Sequence, residues 1–245
     1  MKFDKCWRSG DDRLLSKLHV LRNRVPPRRI RNQILRGHKA WNQPDGPTAR
    51  DLRRLYRRTE NRTTIVTVTR QAAQQVNELA AKVLVGKRKV LVTLPGDYEA
   101  NLKNYGDDGK LKADRRPAPS KIAIRQGLRL HLTRNCDKEG DFVNGMECVV
   151  QAWDERSRCL HVVTATGKSL AVFQYTDPCP EARNASFFPI RLGYASTIYK
   201  MQGAELPHVT IYLDVPGSRA AAYVAMSRVK SDDDYLLGGH YTKQH

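Results

Sequence analysis

Two polar strings near the end of this 245-residue chain carry side chains suited to phosphate chemistry. In Thr197-Ile-Tyr-Lys-Met-Gln-Gly-Ala-Glu205, polar residues cluster at an expected helix end, with Gly203 permitting a sharp turn and Glu205 just beyond it. The Thr197 hydroxyl and the Lys200 ammonium can hold phosphate oxygens without reading base identity. Tyr199, between them, either stacks on a base, a contact worth about 1–3 kcal/mol, or packs in the core. Downstream, Ala221, Ala222, Val224 and Ala225 favour close helix packing, and Ser227-Arg228 ends that helix with a planar, permanent cation. Upstream, Thr69-Arg70 puts a capping hydroxyl and a cation at a helix N-terminus, where backbone N–H groups can receive an anion. Taken singly, each of these residues also fits a capped surface helix beside a core strand.

The elements that must position them alternate. Residues 11–24 carry Leu14, Leu15, Leu18 and Leu21 at helical spacing behind Asp11 and Asp12. Ile30, Ile34 and Leu35 form a short apolar stripe after Pro26-Pro27, and 47–58 predicts a third helix with Leu52, Leu55 and Tyr56 on one face and five arginines around the rest. Those arginines are either a solvated face or phosphate contacts. The β-branched run Thr63–Thr69 predicts a buried strand leading into a helix through Ala72, Val76, Leu79, Ala80 and Val83. Residues 95–120 read as a loop. Short strands at 128–132, 148–153, 160–163 and 170–173, with a turn dipeptide at Asn144-Gly145, suggest a small β-barrel. Beyond Pro178 the expected order is strand 187–192, helix 194–201, strand 208–214, helix 218–227 and strand 235–237, an α/β pattern that favours a parallel sheet.

Thr166-Gly-Lys-Ser169 imitates the end of a phosphate-binding P-loop. That loop needs a glycine where the chain has Val162 and a helix where it has Leu170-Ala-Val-Phe173, so a hairpin turn is expected instead. No complete Walker A loop or Walker B carboxylate pair occurs.

Composition narrows the function classes. The net charge is +18, and residues 1–60 hold 17 Lys and Arg against six Asp and Glu. An excess of that size points to a polyanionic partner, with nucleic acid the leading candidate. The five cysteines, at 6, 136, 148, 159 and 179, include no Cys-x-x-Cys pair, so spacing suggests neither a disulfide framework nor a zinc site, and no metal ligand is assigned. No apolar run approaches a membrane span, and Met1–Trp7 lacks the apolar core of a signal peptide, so an intracellular protein without membrane attachment is expected.

Tyr194-Ala-Ser-Thr-Ile-Tyr-Lys-Met-Gln-Gly-Ala-Glu-Leu206 resembles motif V, and Tyr223-Val-Ala-Met-Ser-Arg-Val229 resembles motif VI, of superfamily 1 helicases of the Pif and RecD type. The family pattern Thr-Ile-His-Lys-Ser-Gln-Gly is matched at Thr197, Ile198, Lys200, Gln202 and Gly203, with Tyr199 in place of His and Met201 in place of Ser. Thr69-Arg70 with Val76-Asn-Glu-Leu79 resembles motif IV, residues 132–145 resemble the start of the family's inserted small barrel, and Cys6–Ser9 with Leu18–Arg22 resemble the segment after motif III.

The resemblance implies a RecA-like α/β fold, the second motor domain of a P-loop NTPase-type helicase, with an inserted small β-barrel. It implies a basic helical segment over 1–60, the RecA-like domain over 61–120 and 178–245, and the barrel over 121–177. It assigns Thr69, Thr197, Tyr199, Lys200, Gln202 and Asn144 to single-stranded DNA. It assigns Arg70, Gly203 and Glu205 to nucleotide and makes Arg228 the arginine finger, a catalytic group at the γ-phosphate. It further implies the C-terminal half of an ATP-dependent 5′-to-3′ DNA helicase, a monomer whose ATP and Mg2+ are held mainly by a first motor domain absent from this chain, so that the chain alone hydrolyses ATP poorly. Repair, recombination or telomere maintenance would be the setting, in nucleus, mitochondrion or microbial cytoplasm. The competing expectation is a non-catalytic nucleic-acid-binding remnant.

Overall fold

The computed structural model describes residues 9–23, 27–97, 121–176, 186–201, 204–215 and 219–239. In chain order the elements are helices α1 (Asp12–Asn23) and α2 (Arg28–Leu35), strand β1 (Lys39–Trp41), helix α3 (Ala49–Arg58), strand β2 (Thr63–Thr67) and helix α4 (Arg70–Leu84). Strands β3 (Val90–Pro95), β4 (Lys121–Arg125), β5 (Arg129–Leu132), β6 (Glu147–Asp154), β7 (Cys159–Thr164), β8 (Ser169–Val172), β9 (Tyr175–Thr176), β10 (Ser186–Phe187) and β11 (Ile190–Leu192) follow. The chain continues with β12 (Ala195–Thr197), a 3-10 helix at Ile198–Met201, β13 (His208–Tyr212), α5 (Arg219–Met226), a 3-10 turn at Asp232–Asp234 and β14 (Tyr235–Gly238).

These elements fall into two units, Met1–Ala80 with Tyr194–His245, and Ala81–Gly193. The sequence reading divides the chain at 60/61, 120/121 and 177/178; the units divide at 80/81 and 193/194, the latter because β11 pairs with β5 inside the second unit.

The first unit is built on a five-stranded sheet in the order β1-β14-β13-β2-β12, with every neighbouring pair parallel. All five residues of β2 and all five of β13 are buried, as in parallel sheets covered on both faces. One face carries Val66, Val209, Ile211, Tyr235 and Leu237, which pack with Leu14 and Leu18 of α1, Ile34 of α2, and Ala221, Ala225 and Met226 of α5. Strand alternation turns Thr63, His208 and Thr210 to the opposite face. There His208 Nδ1 lies 2.9 Å from Thr63 Oγ1, which lies 2.7 Å from Thr210 Oγ1.

The basic N-terminal segment belongs to this unit. Lys17 Nζ donates to both oxygens of Asp232, at 2.7 and 2.8 Å, and to Tyr235 Oη at 3.0 Å. The Asp11 carboxylate accepts from the Asp232 backbone N–H at 2.8 Å, and this bond leads in holding its pKa down to about 2. The segment also supplies the edge strand β1, which the helical reading of 1–60 does not anticipate. Trp41 of β1 lies directly over Gly238 of β14, where a Cβ would meet the indole ring at 2.1 Å.

One expected helix is replaced. The 194–201 segment is an edge strand followed by one turn of 3-10 helix, because its backbone is claimed by neighbours. Ile65 N–H donates to Tyr194 O at 3.0 Å, and the Asn77 side chain of α4 accepts from Tyr194 and Ala195 N–H and donates to Ala195 O, all at 2.8–2.9 Å.

The second unit contains an antiparallel sheet in the order β11-β5-β6-β7-β8 and the two-stranded pairs β3-β4 and β9-β10. Among the described residues no pairing joins β8 to β11, so the structure gives an antiparallel sheet where a small barrel is expected, and the barrel is not confirmed. Residues 165–168 form the turn between β7 and β8, with Gly167 at φ 87° and its N–H donating to Thr164 O at 2.9 Å. This is the hairpin expected from the sequence.

Candidate nucleic-acid interface

One register row crosses the first sheet: Thr197, Thr67, Tyr212, Gly238 and Trp41, one residue from each strand. Because the strands are parallel, this row marks their carboxyl ends, the edge along which open α/β sheets receive ligands. The residues just past it on the neighbouring strands β12, β2 and β13 form the candidate site.

After β12, the 3-10 turn separates its side chains by period. Ile198 and Met201, three residues apart, turn into the core at 7% and 5% exposure, whereas Tyr199 is 77% exposed and Lys200 is exposed beside it. Tyr199 therefore stands in solvent and not in the core, the second of the two readings open in the sequence. Met201, the other departure from the family string, serves packing. Thr197 is buried at the strand end.

After β2, Thr69 caps α4: its Oγ1 accepts from Ala72 N–H at 3.1 Å. The same hydroxyl donates to Asp214, just past β13. Asp214 also accepts from Val68 N–H at 2.7 Å and Thr69 N–H at 3.1 Å. The backbone N–H groups just before α4 are thus taken by a carboxylate of this chain. Arg70 follows as the first residue of α4, exposed.

The opposite end of the strands gathers a second set. Glu205 lies three residues before β13, and Leu206 N–H donates to Arg228 O at 2.9 Å, tying the exit of α5 to the entry of β13. The Arg228 guanidinium folds over the end of α5: Nε donates to Val224 O at 2.9 Å and Nη2 to Ser227 Oγ at 2.7 Å. Lys230 Nζ lies 2.6 Å from Glu205 Oε1. The residues read from the sequence thus separate into Thr69, Arg70, Thr197, Tyr199 and Lys200 at the carboxyl ends, and Glu205 and Arg228 at the amino end. Asn144 lies in the second unit, exposed, in the connection between β5 and β6. Gln202 and Gly203 lie outside the described residues.

The arginines of α3 are partly committed. Arg58 donates to Gly37 O and Lys39 O at 2.9 and 3.2 Å, and Arg54 to Ala40 O at 3.0 Å. Both line a cavity of about 310 Å³ beside β1. Arg50, Arg53 and Arg57 are exposed. Asp214 and Asn77 are the positioning residues that sequence reasoning missed; Asn77 stands inside the motif IV string, and nothing in the spacing marks Asp214.

No family model matches the chain. The chain superposes on the Pif1 helicase from Bacteroides in complex with ADP-AlF3 and ssDNA with a TM-score of 0.64, covering 100% of this chain and 53% of that one at 17% identity. For the Pif1 helicase from Candida albicans the TM-score is 0.63, with 98% of this chain and 56% of that one covered at 16% identity. The fold is that of the Pif1 helicases. A stretch of 120 residues, 47% of this chain, is 28% identical to the ATP-dependent DNA helicase PIF1 of Xenopus laevis, of which it covers 19%. The chain therefore has the fold of a Pif1 portion and spans about half the length of those Pif1 structures. Among the described residues of this Pif1-type fold, no helix is long and apolar enough to cross a membrane.

Proposed function

We propose that this chain acts as the second motor-domain portion of an ATP-dependent DNA helicase and grips single-stranded DNA along the carboxyl ends of β2 and β12. The observation that carries this reading is the 3-10 turn after β12, which buries Ile198 and Met201 and so presents Tyr199 and Lys200 together to solvent. Tyr199 offers a face for a base, a sequence-tolerant contact. Lys200 contacts the phosphates from the exposed turn, with Thr197 buried at the strand end behind it. Arg70, which the resemblance assigns to nucleotide, adds charge at the start of α4, and Gln202 continues the track by its place in the motif string. Thr69 acts through its cap, with Asp214 holding the turn that presents Arg70.

ATP and Mg2+ would be held chiefly by a partner motor domain, as the helicase resemblance implies; Thr166-Gly-Lys-Ser169, which imitates a phosphate cradle, lies at a hairpin turn. In such a cleft Arg228 supplies the γ-phosphate with a planar cation that stabilises charge spreading over its oxygens, and Glu205 and Gly203 couple that end of the fold to the DNA track. In the complete enzyme the strand would move 5′ to 3′.

A nucleic-acid-binding module without hydrolysis is the second reading, favoured by the engagement of the Arg228 guanidinium with Val224 O and Ser227 Oγ. Fluorescence anisotropy with a labelled single-stranded oligonucleotide tests the shared part. Affinity is expected to fall with salt, by about 0.7 log units per phosphate contact for each log unit of salt, and absence of such binding sinks both readings. Joining the chain to a P-loop motor half and assaying DNA-stimulated ATP hydrolysis separates them. Arg228→Ala abolishes turnover in the first; in the second there is none to lose.

A further inference from the structure

The β6–β7 hairpin of the second unit brings together three side chains that neither the helicase resemblance nor the cysteine spacing assigns. Asp154 and Cys159 are register partners at the end of the hairpin, flanking the turn 155–158. Paired residues of an antiparallel ladder share a face. His161 is two residues beyond Cys159 on the same strand, so it shares that face too. An irregularity in β6 between Val150 and Ala152 sets Ala152 opposite His161 and leaves the imidazole beside a small neighbour.

One donor atom from each of Asp154, Cys159 and His161 lies within 4.8 Å of the other two. Cys159 Sγ and His161 Nε2 are 3.3 Å apart. In a tetrahedral site with Zn–S of about 2.3 Å and Zn–N of about 2.0–2.1 Å, the sulfur–nitrogen edge is about 3.5 Å. The pair is within a few tenths of an ångström of that edge. The carboxylate is already oriented: Oδ1 accepts from Arg156 N–H at 2.9 Å and Oδ2 from Ser157 Oγ at 2.6 Å. The Ser157 hydroxyl also lies 3.2 Å from Cys159 Sγ, so one residue of the turn touches two of the three donors. Outer partners of this kind fix ligand orientation in metal sites.

We propose that Asp154, Cys159 and His161 bind one Zn2+ ion, with water in the fourth position. Thiolate and imidazole are poor ligands for Mg2+ and Ca2+ and suit Zn2+, and one carboxylate completes a three-ligand set. Cys159 is 2% exposed and His161 is exposed, so the ion is reached from the imidazole side. The thiol releases its proton to solvent on binding. The ion clips the two ends of the hairpin turn.

The test uses the full chain, stripped with a chelator and titrated with Co2+ as a spectroscopic stand-in. One Co2+ per chain is expected, with a thiolate-to-cobalt charge-transfer band that Zn2+ removes. His161→Ala changes an exposed side chain and should leave the melting temperature of the metal-free protein unchanged. Losing an outer partner alone costs about 10–100-fold in affinity, so this variant should lose at least that much. Added Zn2+ should raise the melting temperature of the wild type and not of the variant. Cys136→Ser, at an exposed thiol elsewhere, should bind as the wild type does. The proposal is overturned if the wild type shows no stoichiometric band, if His161→Ala keeps it, or if Cys136→Ser loses it.

Discussion

Asp214 receives the Thr69 side chain and, with it, the backbone N–H groups of Val68 and Thr69. A carboxylate at the end of β13 therefore locks the turn from β2 into α4, where helix N-terminal charge favours an anion. Asp214→Ala leaves those donors without their acceptor and is expected to destabilise the protein by about 1.5–3 kcal/mol, the range for hydrogen bonds to a charged group. Urea denaturation of the purified chain measures this. A loss under about 0.5 kcal/mol, typical of a surface substitution, would contradict it.

Tyr199 and Met201 should separate binding from stability. Tyr199→Ala removes an exposed ring and is expected to change stability by less than about 0.5 kcal/mol. If the ring stacks on one base, the same change weakens oligonucleotide binding by about 1–3 kcal/mol, roughly 5- to 150-fold. Met201→Ala empties a core position and should cost about 2–5 kcal/mol of stability. Anisotropy and denaturation on both variants read the two effects, and unchanged oligonucleotide affinity in Tyr199→Ala would remove the ring from the DNA track.

The first sheet was legible where its strands make their own case. The β-branched runs of β2 and β13 and the apolar spacing of α1, α3 and α4 declare themselves because both faces of the sheet are buried. The edge strands β1 and β12 do not, since three residues carry no period and their hydrogen bonds come from partners distant in sequence. Ala195–Thr197 is a strand because β2 and Asn77 claim its backbone. Asp214 escaped for a related reason: its partner Thr69 is 145 residues away. Asp154, Cys159 and His161 meet only once the register of a hairpin with an irregular strand is known, which spacing rules written for Cys-x-x-Cys knuckles cannot supply. The motif strings, by contrast, were visible before any fold, and the comparisons support the fold they imply.

Gly238 is fixed by its neighbour. The Trp41 ring lies where its Cβ would be, 2.1 Å from the nearest ring carbon, and Trp41 is itself 2% exposed between β14 and the Tyr212 ring. Gly238→Ala must displace the indole or separate β1 from β14, at an expected cost of about 1–3 kcal/mol as overpacking. Thermal melting checks the loss. Trp41→Leu combined with Gly238→Ala should recover part of it, because the clash is with the ring, and a double variant less stable than the sum of the singles would assign the effect elsewhere.

His208 is expected to make the fold sensitive to acid. It is 4% exposed, and burial first, then the charges of Arg62, Arg58 and His38, lowers its pKa from 6.5 to about 4. The folded state therefore favours the neutral ring, which keeps its contact with Thr63 Oγ1. Stability from this group is complete above the unfolded-state value, declines as pH falls through it, and is exhausted below the folded value. Linkage puts the loss at about 2 kcal/mol between pH 7 and pH 5. Carboxylates titrate in the lower part of that range, so the readout is a difference: His208→Asn retains an acceptor for Thr63 but no proton to gain. Urea midpoints across the range should fall more steeply for the wild type than for His208→Asn. Parallel curves would show that the buried ring does not set the acid sensitivity.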